Sequence, residues 1–203
     1  MNKSLLTQQQ NLQSDAHKLI EKLDLINVLS IIGKPVLVGS AAVGLMTWKD
    51  IDFSVVVNEF DENTYWEAIQ KLYSKPTVFD MTIYDTRTNT GDYATGMYIG
   101  IRCYLKDITD PLAKFNEKKN SWKIDVWITK PGGAFGVEKS EWIKSRLNEE
   151  KRNAILEIKN VVSKNPKYRN EITSMDIYTA VLEENIKDLK GFKTYLSTAG
   201  KQL

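Results

Sequence analysis

The sequence holds one cysteine, Cys103, and one histidine, His17. An intrachain disulfide is therefore excluded, and a lone thiol fits a reducing compartment. The same scarcity makes a Cys/His zinc site implausible. Long apolar runs are missing as well. No stretch approaches the ~18 apolar residues of a membrane span, and the opening MNKSLLTQQQ lacks the apolar segment of a secretory leader. A cytoplasmic location without membrane attachment is the expectation. Charge of one sign is also lacking: 28 basic residues against 26 acidic ones leave a net charge of +2. That balance offers no strong field for a polyanion, so nucleic acid is not the expected partner. What is present is ordinary for a globular chain: 203 residues, 42% apolar and 27% charged. This is enough for one domain, or for a core with a helical appendage.

The informative stretch runs from Val36 to Val57. A short apolar run, Val36-Leu37-Val38, stops at Gly39-Ser40. A second run, Phe53 to Val57, is preceded by Asp50-Ile51-Asp52. Both runs are rich in β-branched residues and have strand length. Side chains alternate along a strand, so Asp50, Asp52 and Ser54 share one face, while Ile51, Phe53 and Val55 share the other. Two carboxylates about 7 Å apart on one strand face repel each other. A cation between or above them relieves the repulsion, and hard divalent ions such as Mg²⁺ or Mn²⁺ take oxygen ligands of this kind. Gly39-Ser40 is a small-residue turn that allows close backbone approach. Ser40 is a candidate N-cap for a helical turn over Ala41 to Met46, where free N–H groups can face a phosphate.

Along the chain, Ser4 to Ile32 reads as one helix stopped by Gly33-Lys34-Pro35. Asp61 is a candidate N-cap for a helix carrying Tyr65, Ala68, Ile69 and Leu72. Strands are expected over Thr77–Tyr84, Tyr93–Leu105 and Trp122–Thr129, with a loop at Thr86–Asp92 and a polar connection at Lys106–Ser121. After Pro131-Gly132-Gly133 the period becomes helical, over Ser140 to about Val162 and Ile172 to about Leu196. The division expected is residues 1–137 as an α/β core and 138–203 as a C-terminal helical region. The Lys/Glu-rich segment Lys139–Lys159 reads as a solvated helix face.

A lone Asp-x-Asp is weak evidence. A third acid strengthens it: Asp125 lies mid-strand in WKIDVWI and shares a face with Lys123 and Trp127. A buried mid-strand carboxylate without a partner is costly. Beside Asp50 and Asp52 it would complete a three-carboxylate cluster suited to two-metal transfer.

The order Gly39-Ser40, Asp50, Asp52, Asp125 resembles the nucleotidyltransferase superfamily related to DNA polymerase β, over about residues 35 to 129. The C-terminal helices resemble those of small bacterial and antibiotic-type nucleotidyltransferases, without a motif to quote. The resemblance implies an α+β fold: a polymerase β-like core with a mixed sheet, followed by a helical region. It implies an enzyme that moves a nucleoside monophosphate from an NTP to a hydroxyl of a small-molecule acceptor, such as an antibiotic, and releases pyrophosphate. Asp50, Asp52 and Asp125 would hold Mg²⁺ or Mn²⁺, and Asp125 would also help deprotonate the acceptor. Gly39, Ser40 and Lys123 would hold phosphates. One departure matters: the family's small bacterial members often carry Arg-Gly shortly after Gly-Ser, and here Val43-Gly44 stands there. Lys49, Lys123 or Arg102 would have to grip the triphosphate.

Bland readings compete. Asp52 or Asp125 could serve structural ion pairs with Lys123 or Arg102, Trp127 could be packing, and Tyr98, Arg102 and Tyr104 could be a half-exposed sheet face instead of an acceptor cleft. A nucleotide-binding or regulatory protein on the same fold is the first alternative. A metal-dependent glycosyltransferase ranks lower, because only 49 residues precede Asp50.

Overall fold

The computed structural model describes residues 3–88, 95–106, 120–133 and 136–203. Two helices, α1 (Lys3–Leu23) and α2 (Leu25–Ser30), occupy the stretch read as one helix. The break is Asp24, which adopts a left-handed conformation at φ 56° and lets α2 turn. Strand β1 (Lys34–Val38) begins inside the expected stop signal, and Pro35 is tolerated because β1 is an edge strand. Next come α3 (Gly39–Val43), β2 (Asp50–Val56), α4 (Glu62–Tyr73), β3 (Val78–Asp85), β4 (Met97–Cys103) and β5 (Trp122–Thr129). The expected loop at Thr86–Asp92 begins as a turn after β3, and its residues 89–92, the start of the long strand at Tyr93 and most of the polar connection at Lys106–Ser121 lie outside the described residues.

The five strands form one mixed sheet in the order β1-β2-β5-β4-β3. Only β2 and β5 pair in parallel; the other neighbours are antiparallel. The back face carries Ile51, Phe53, Val55, Ile99, Ile101, Ile124, Val126 and Ile128. These side chains pack with α1, α2 and α4 through Leu19, Leu23, Leu25, Leu29, Tyr65, Ala68 and Leu72. Burial of an aliphatic or aromatic side chain is worth about 1.5–3 kcal/mol, so this face fixes the strand register. The other face is left to the acids.

Each of the two expected C-terminal helices is split in two. The first is α5 (Val137–Arg146) and α6 (Glu149–Val162). They separate at Leu147-Asn148, because Asn148 caps α6 by accepting from the Lys151 N–H. The second is α7 (Ser174–Leu182) and α8 (Leu189–Thr198). Thr173 and Asp176 form a reciprocal capping box on α7, and Asp188 caps α8. A second core joins these helices through Ile155, Ile158, Val162, Ile177, Val181, Phe192 and Leu196, and takes in Val43 and Leu45. Lys159 departs from the solvated reading of its helix: it is 1% exposed, and its ammonium donates to the Leu45 carbonyl and the Tyr178 hydroxyl. Arg152 likewise donates to the carbonyls of Val43 and Gly44. Two cations of α6 thus hold the chain between α3 and β2.

Candidate active site

The acids occupy the front face because their apolar neighbours take the back. The parallel register of β2 and β5 sets Asp52 beside Asp125 and Asp50 beside Lys123. One carboxylate oxygen from each of Asp50, Asp52 and Asp125 lies within 4.8 Å of the other two. Residues 73 positions apart thus converge on one sheet face.

Each acid has a distinct environment. Asp50 Oδ2 accepts from the Trp48 indole N–H at 3.0 Å and lies 3.5 Å from the Arg169 guanidinium. That guanidinium also sits over the Trp48 ring, 5.4 Å from its centroid. Asp50 Oδ1 is buried and has no hydrogen-bond partner among the described residues. Asp125 Oδ1 accepts from the Tyr98 hydroxyl at 2.6 Å, and Asp125 Oδ2 pairs with the Lys123 ammonium. Gly100, in register with Asp125, makes the Tyr98 bond possible: a Cβ there would meet the Tyr98 hydroxyl oxygen at 2.6 Å. Asp52 is packed against the Gly39 backbone, where a Cβ would lie 2.3 Å from Asp52 Oδ2. Gly39 adopts φ +66°, a conformation that favours glycine. Burial, then repulsion from Asp50 and Asp125, pushes the Asp52 carboxyl up from 3.8 to about 7, against the pull of Lys123 and Lys159. Burial pushes the Lys159 ammonium down to about 8, although Tyr168, Asp50 and Asp52 favour its charge.

The other sequence candidates divide. Ser40 is not the N-cap: Val38 holds that place, Gly39 is the first helical residue, and Ser40 is the second. The Gly39 N–H donates to Ser140 Oγ of α5 at 3.2 Å, so a donor read as free for phosphate has a protein partner. Lys123 reaches the site and pairs with Asp125, which is the ion pair weighed for that acid. Arg102 is exposed on the front face, in register with Lys123. Tyr104 is buried beyond the end of β4 and stacks on Phe79. His17 is exposed on α1 beside Gln13.

Sequence reasoning missed Trp48, Arg169 and Lys159. Trp48 stands two residues before Asp50 and could have been tied to it. The other two come from the helical region and carry no local signal. Arg169 is held at φ 75°, unusual for a residue with a side chain, by its N–H donating to the Ile172 carbonyl at 2.7 Å. Trp48, Asp50, Lys123, Asp125, Tyr168 and Arg169 line a cleft of about 370 Å³ between the sheet and the start of α7.

Three carboxylates that each bring an oxygen within 4.8 Å of the others fit a divalent cation in kind, and Asp50 also carries a buried oxygen, Oδ1, without a donor among the described residues. The ammonium on Asp125 and the guanidinium near Asp50 currently offset part of the charge that such an ion would meet.

No protein-family model matches the sequence, and a search of curated proteins finds no match. Solved structures do match. Cid1 poly(U) polymerase bound to MgATP is similar with a TM-score of 0.61 at 16% identity, over 87% of this chain and 51% of that one. The same polymerase with MgGTP gives 0.59 at 15%, over 85% and 50%. A cytoplasmic RNA terminal U-transferase gives 0.50 at 14%, over 90% and 46%. The chain thus spans about half the length of the solved structures it matches. Its fold is that of the polymerase β-like nucleotidyltransferases, α+β with a mixed sheet.

Proposed function

We propose that the protein is a metal-dependent nucleotidyltransferase that moves a nucleoside monophosphate from an NTP to a hydroxyl of a small acceptor. The observation that carries this reading is the cluster of Asp50, Asp52 and Asp125 on the front face, of which Asp50 and Asp125 line the cleft beneath α7. The similar polymerase structures hold MgATP and MgGTP, which supports an NTP as donor.

On this reading residues 1–137 carry the acids, and 138–203 cover them and contribute Arg169. Asp50, Asp52 and Asp125 would hold Mg²⁺ or Mn²⁺, which supplies charge neutralisation at the phosphates when bound. Asp125 takes the proton of the acceptor hydroxyl, held in orientation by Tyr98. The acceptor oxygen forms its bond to the α-phosphorus, the bond from that phosphorus to the bridging oxygen breaks, and pyrophosphate leaves. Lys123 and Arg169 turn from the carboxylates to the triphosphate, so Arg169 supplies the arginine that is absent after Gly39-Ser40. Gly39 and Ser40 line the phosphate side. The near-neutral net charge favours a small acceptor over a long polyanion. A buried thiol at Cys103 suits the reducing cytoplasm, where we place the protein. Among the described residues no helix is long and apolar enough to cross a membrane.

A second reading, a nucleotide-binding protein without turnover, draws on the same two cations, which already neutralise Asp50 and Asp125. Pyrophosphate release, measured with each NTP, Mg²⁺ or Mn²⁺ and a panel of hydroxyl acceptors, separates the two. Acceptor-dependent release supports transfer; tight NTP binding without release supports the second reading.

A further inference from the structure

The front face continues past the acids toward the sheet edge. Trp127 of β5, Tyr98 of β4 and Tyr84 of β3 stand in register across three neighbouring strands. Tyr84 and Tyr98 stack with centroids 5.6 Å apart and planes 22° apart; Tyr98 and Trp127 lie 5.0 Å apart at 49°. The inner part of this row touches the candidate site, since the Tyr98 hydroxyl bonds Asp125. Its outer end, Tyr84, is 58% exposed. Cross-strand aromatic pairs stabilise sheets on their own. That role alone needs no hydroxyl on Asp125 and no large exposed ring on the edge strand. On the same strand, the Tyr98 ring lies over Gly100 and so reaches Asp125 with its hydroxyl, and exposed Arg102 stands beyond it, in register with Lys123 on one side and Asp80 on the other. The face therefore presents, in order, aromatic rings, a carboxylate and a cation.

We propose that this row is the acceptor subsite, and that the acceptor is nucleotide-like: a planar base that stacks at Tyr84 and Tyr98, a sugar hydroxyl at Asp125 and a phosphate toward Arg102. The proposal deepens the transfer reading and rests on it for the role of the hydroxyl. Bases stack on aromatic side chains whatever their identity, and a guanidinium pairs with phosphate. A free nucleotide and the end of a short RNA chain share this chemistry.

Equilibrium binding in EDTA tests the subsite without turnover. The probes are AMP, the dinucleotide ApA and ribose 5-phosphate, titrated into the full chain and into its Tyr84→Ala and Tyr84→Phe variants. AMP or ApA is expected to bind, to weaken about tenfold in Tyr84→Ala and to be retained in Tyr84→Phe. Ribose 5-phosphate is expected to bind at least about tenfold more weakly than AMP. Binding of AMP assigns a free nucleotide, and binding of ApA alone assigns an RNA end; either supports the subsite. Unchanged binding in Tyr84→Ala, equal binding of ribose 5-phosphate, or no base-dependent binding at millimolar probe overturns it. Tyr84 lies exposed on an edge strand, so thermal melts should match; if Tyr84→Ala does not fold, Tyr84→Leu gives the same comparison. Ring-dependent binding without pyrophosphate release from any NTP would leave the subsite standing and remove the transfer reading.

Discussion

Asp52→Asn should stabilise the metal-free protein and abolish its response to Mg²⁺ and NTP. Asp52 lies between Ile51 and Phe53 on β2, with one oxygen against the Gly39 backbone and Asp50 and Asp125 within 4.8 Å. The ammonium that could have made it a strut, Lys123, pairs with Asp125. Burial and repulsion raise its carboxyl from 3.8 to about 7. At 1.36 kcal/mol per unit, that displacement sets a ceiling of about 4 kcal/mol on the cost of its charge. The buried amide of asparagine needs donors and acceptors of its own, so a gain of about 2 kcal/mol is the expected size. For a chain of this length that is about 4–8 °C in melting temperature. The sign follows from proton binding. Folded Asp52 keeps its proton over a range where the unfolded chain has released it. Its contribution is therefore fully present below pH 3.8 and lost as pH rises through about 7. The mutant's advantage should be small at pH 4 and full at pH 8. Melts in EDTA at both values test this. With Mg²⁺ and NTP at about 100 times Kd, wild type should gain about 2.7 kcal/mol and Asp52→Asn nothing. A mutant that melts lower than wild type in EDTA at pH 8, with NTP stabilisation intact, would refute the reasoning.

Gly39→Ala should cost about 1–3 kcal/mol and abolish transfer, because its Cβ meets Asp52 Oδ2 at 2.3 Å and φ is +66°; urea unfolding and pyrophosphate release measure the two losses. Lys159→Met should lower stability by about 1–3 kcal/mol, since the Leu45 carbonyl and the Tyr178 hydroxyl lose a buried donor. Lys159 also has a depressed folded value, about 8, so the unfolded chain binds more protons above it, and the wild-type share of stability from this group should rise between about pH 8 and 10.5, a slope absent in the mutant. Arg169→Ala should raise the KM for NTP about tenfold or more through loss of a charge-assisted phosphate contact; an unchanged KM would remove Arg169 from the donor cleft.

The sheet face was legible because strand periodicity is two and the register of buried aliphatics is strict. Asp50, Asp52 and Asp125 could be assigned a common side from Ile51, Phe53, Ile124 and Val126 alone. Their convergence needed pairing information, which the family resemblance supplied and the sequence pattern did not. Helix ends were partly written in the chain: Asn148, Asp188 and the Thr173–Asp176 pair are capping signals, passed over because the apolar period continued through them. Asp24 gave no comparable cue, since few aspartates adopt a left-handed conformation. Lys159 was illegible for another reason. Its partner is a backbone carbonyl 114 positions away, so nothing in its own helix distinguishes it from a solvated lysine. Arg169 is similar: its place at Asp50 depends on how a loop between two helices lies over the sheet.

The strand order has a consequence for synthesis. β5, the last strand to leave the ribosome, occupies the middle of the sheet, between β2 and β4. Until Trp122–Thr129 emerges, nothing joins the pair β1 and β2 to the pair β3 and β4, and the inner edges of β2 and β4 have no partner strand. A ribosome that stalls before Trp122 leaves a product that cannot close its sheet, exposes sticky strand edges and has only two of the three acids. The arrival of β5 zips the halves together and sets Asp125 beside Asp52 in one event. No half-built sheet can display the complete charge cluster, and the open edges of a truncated product make it prone to aggregate.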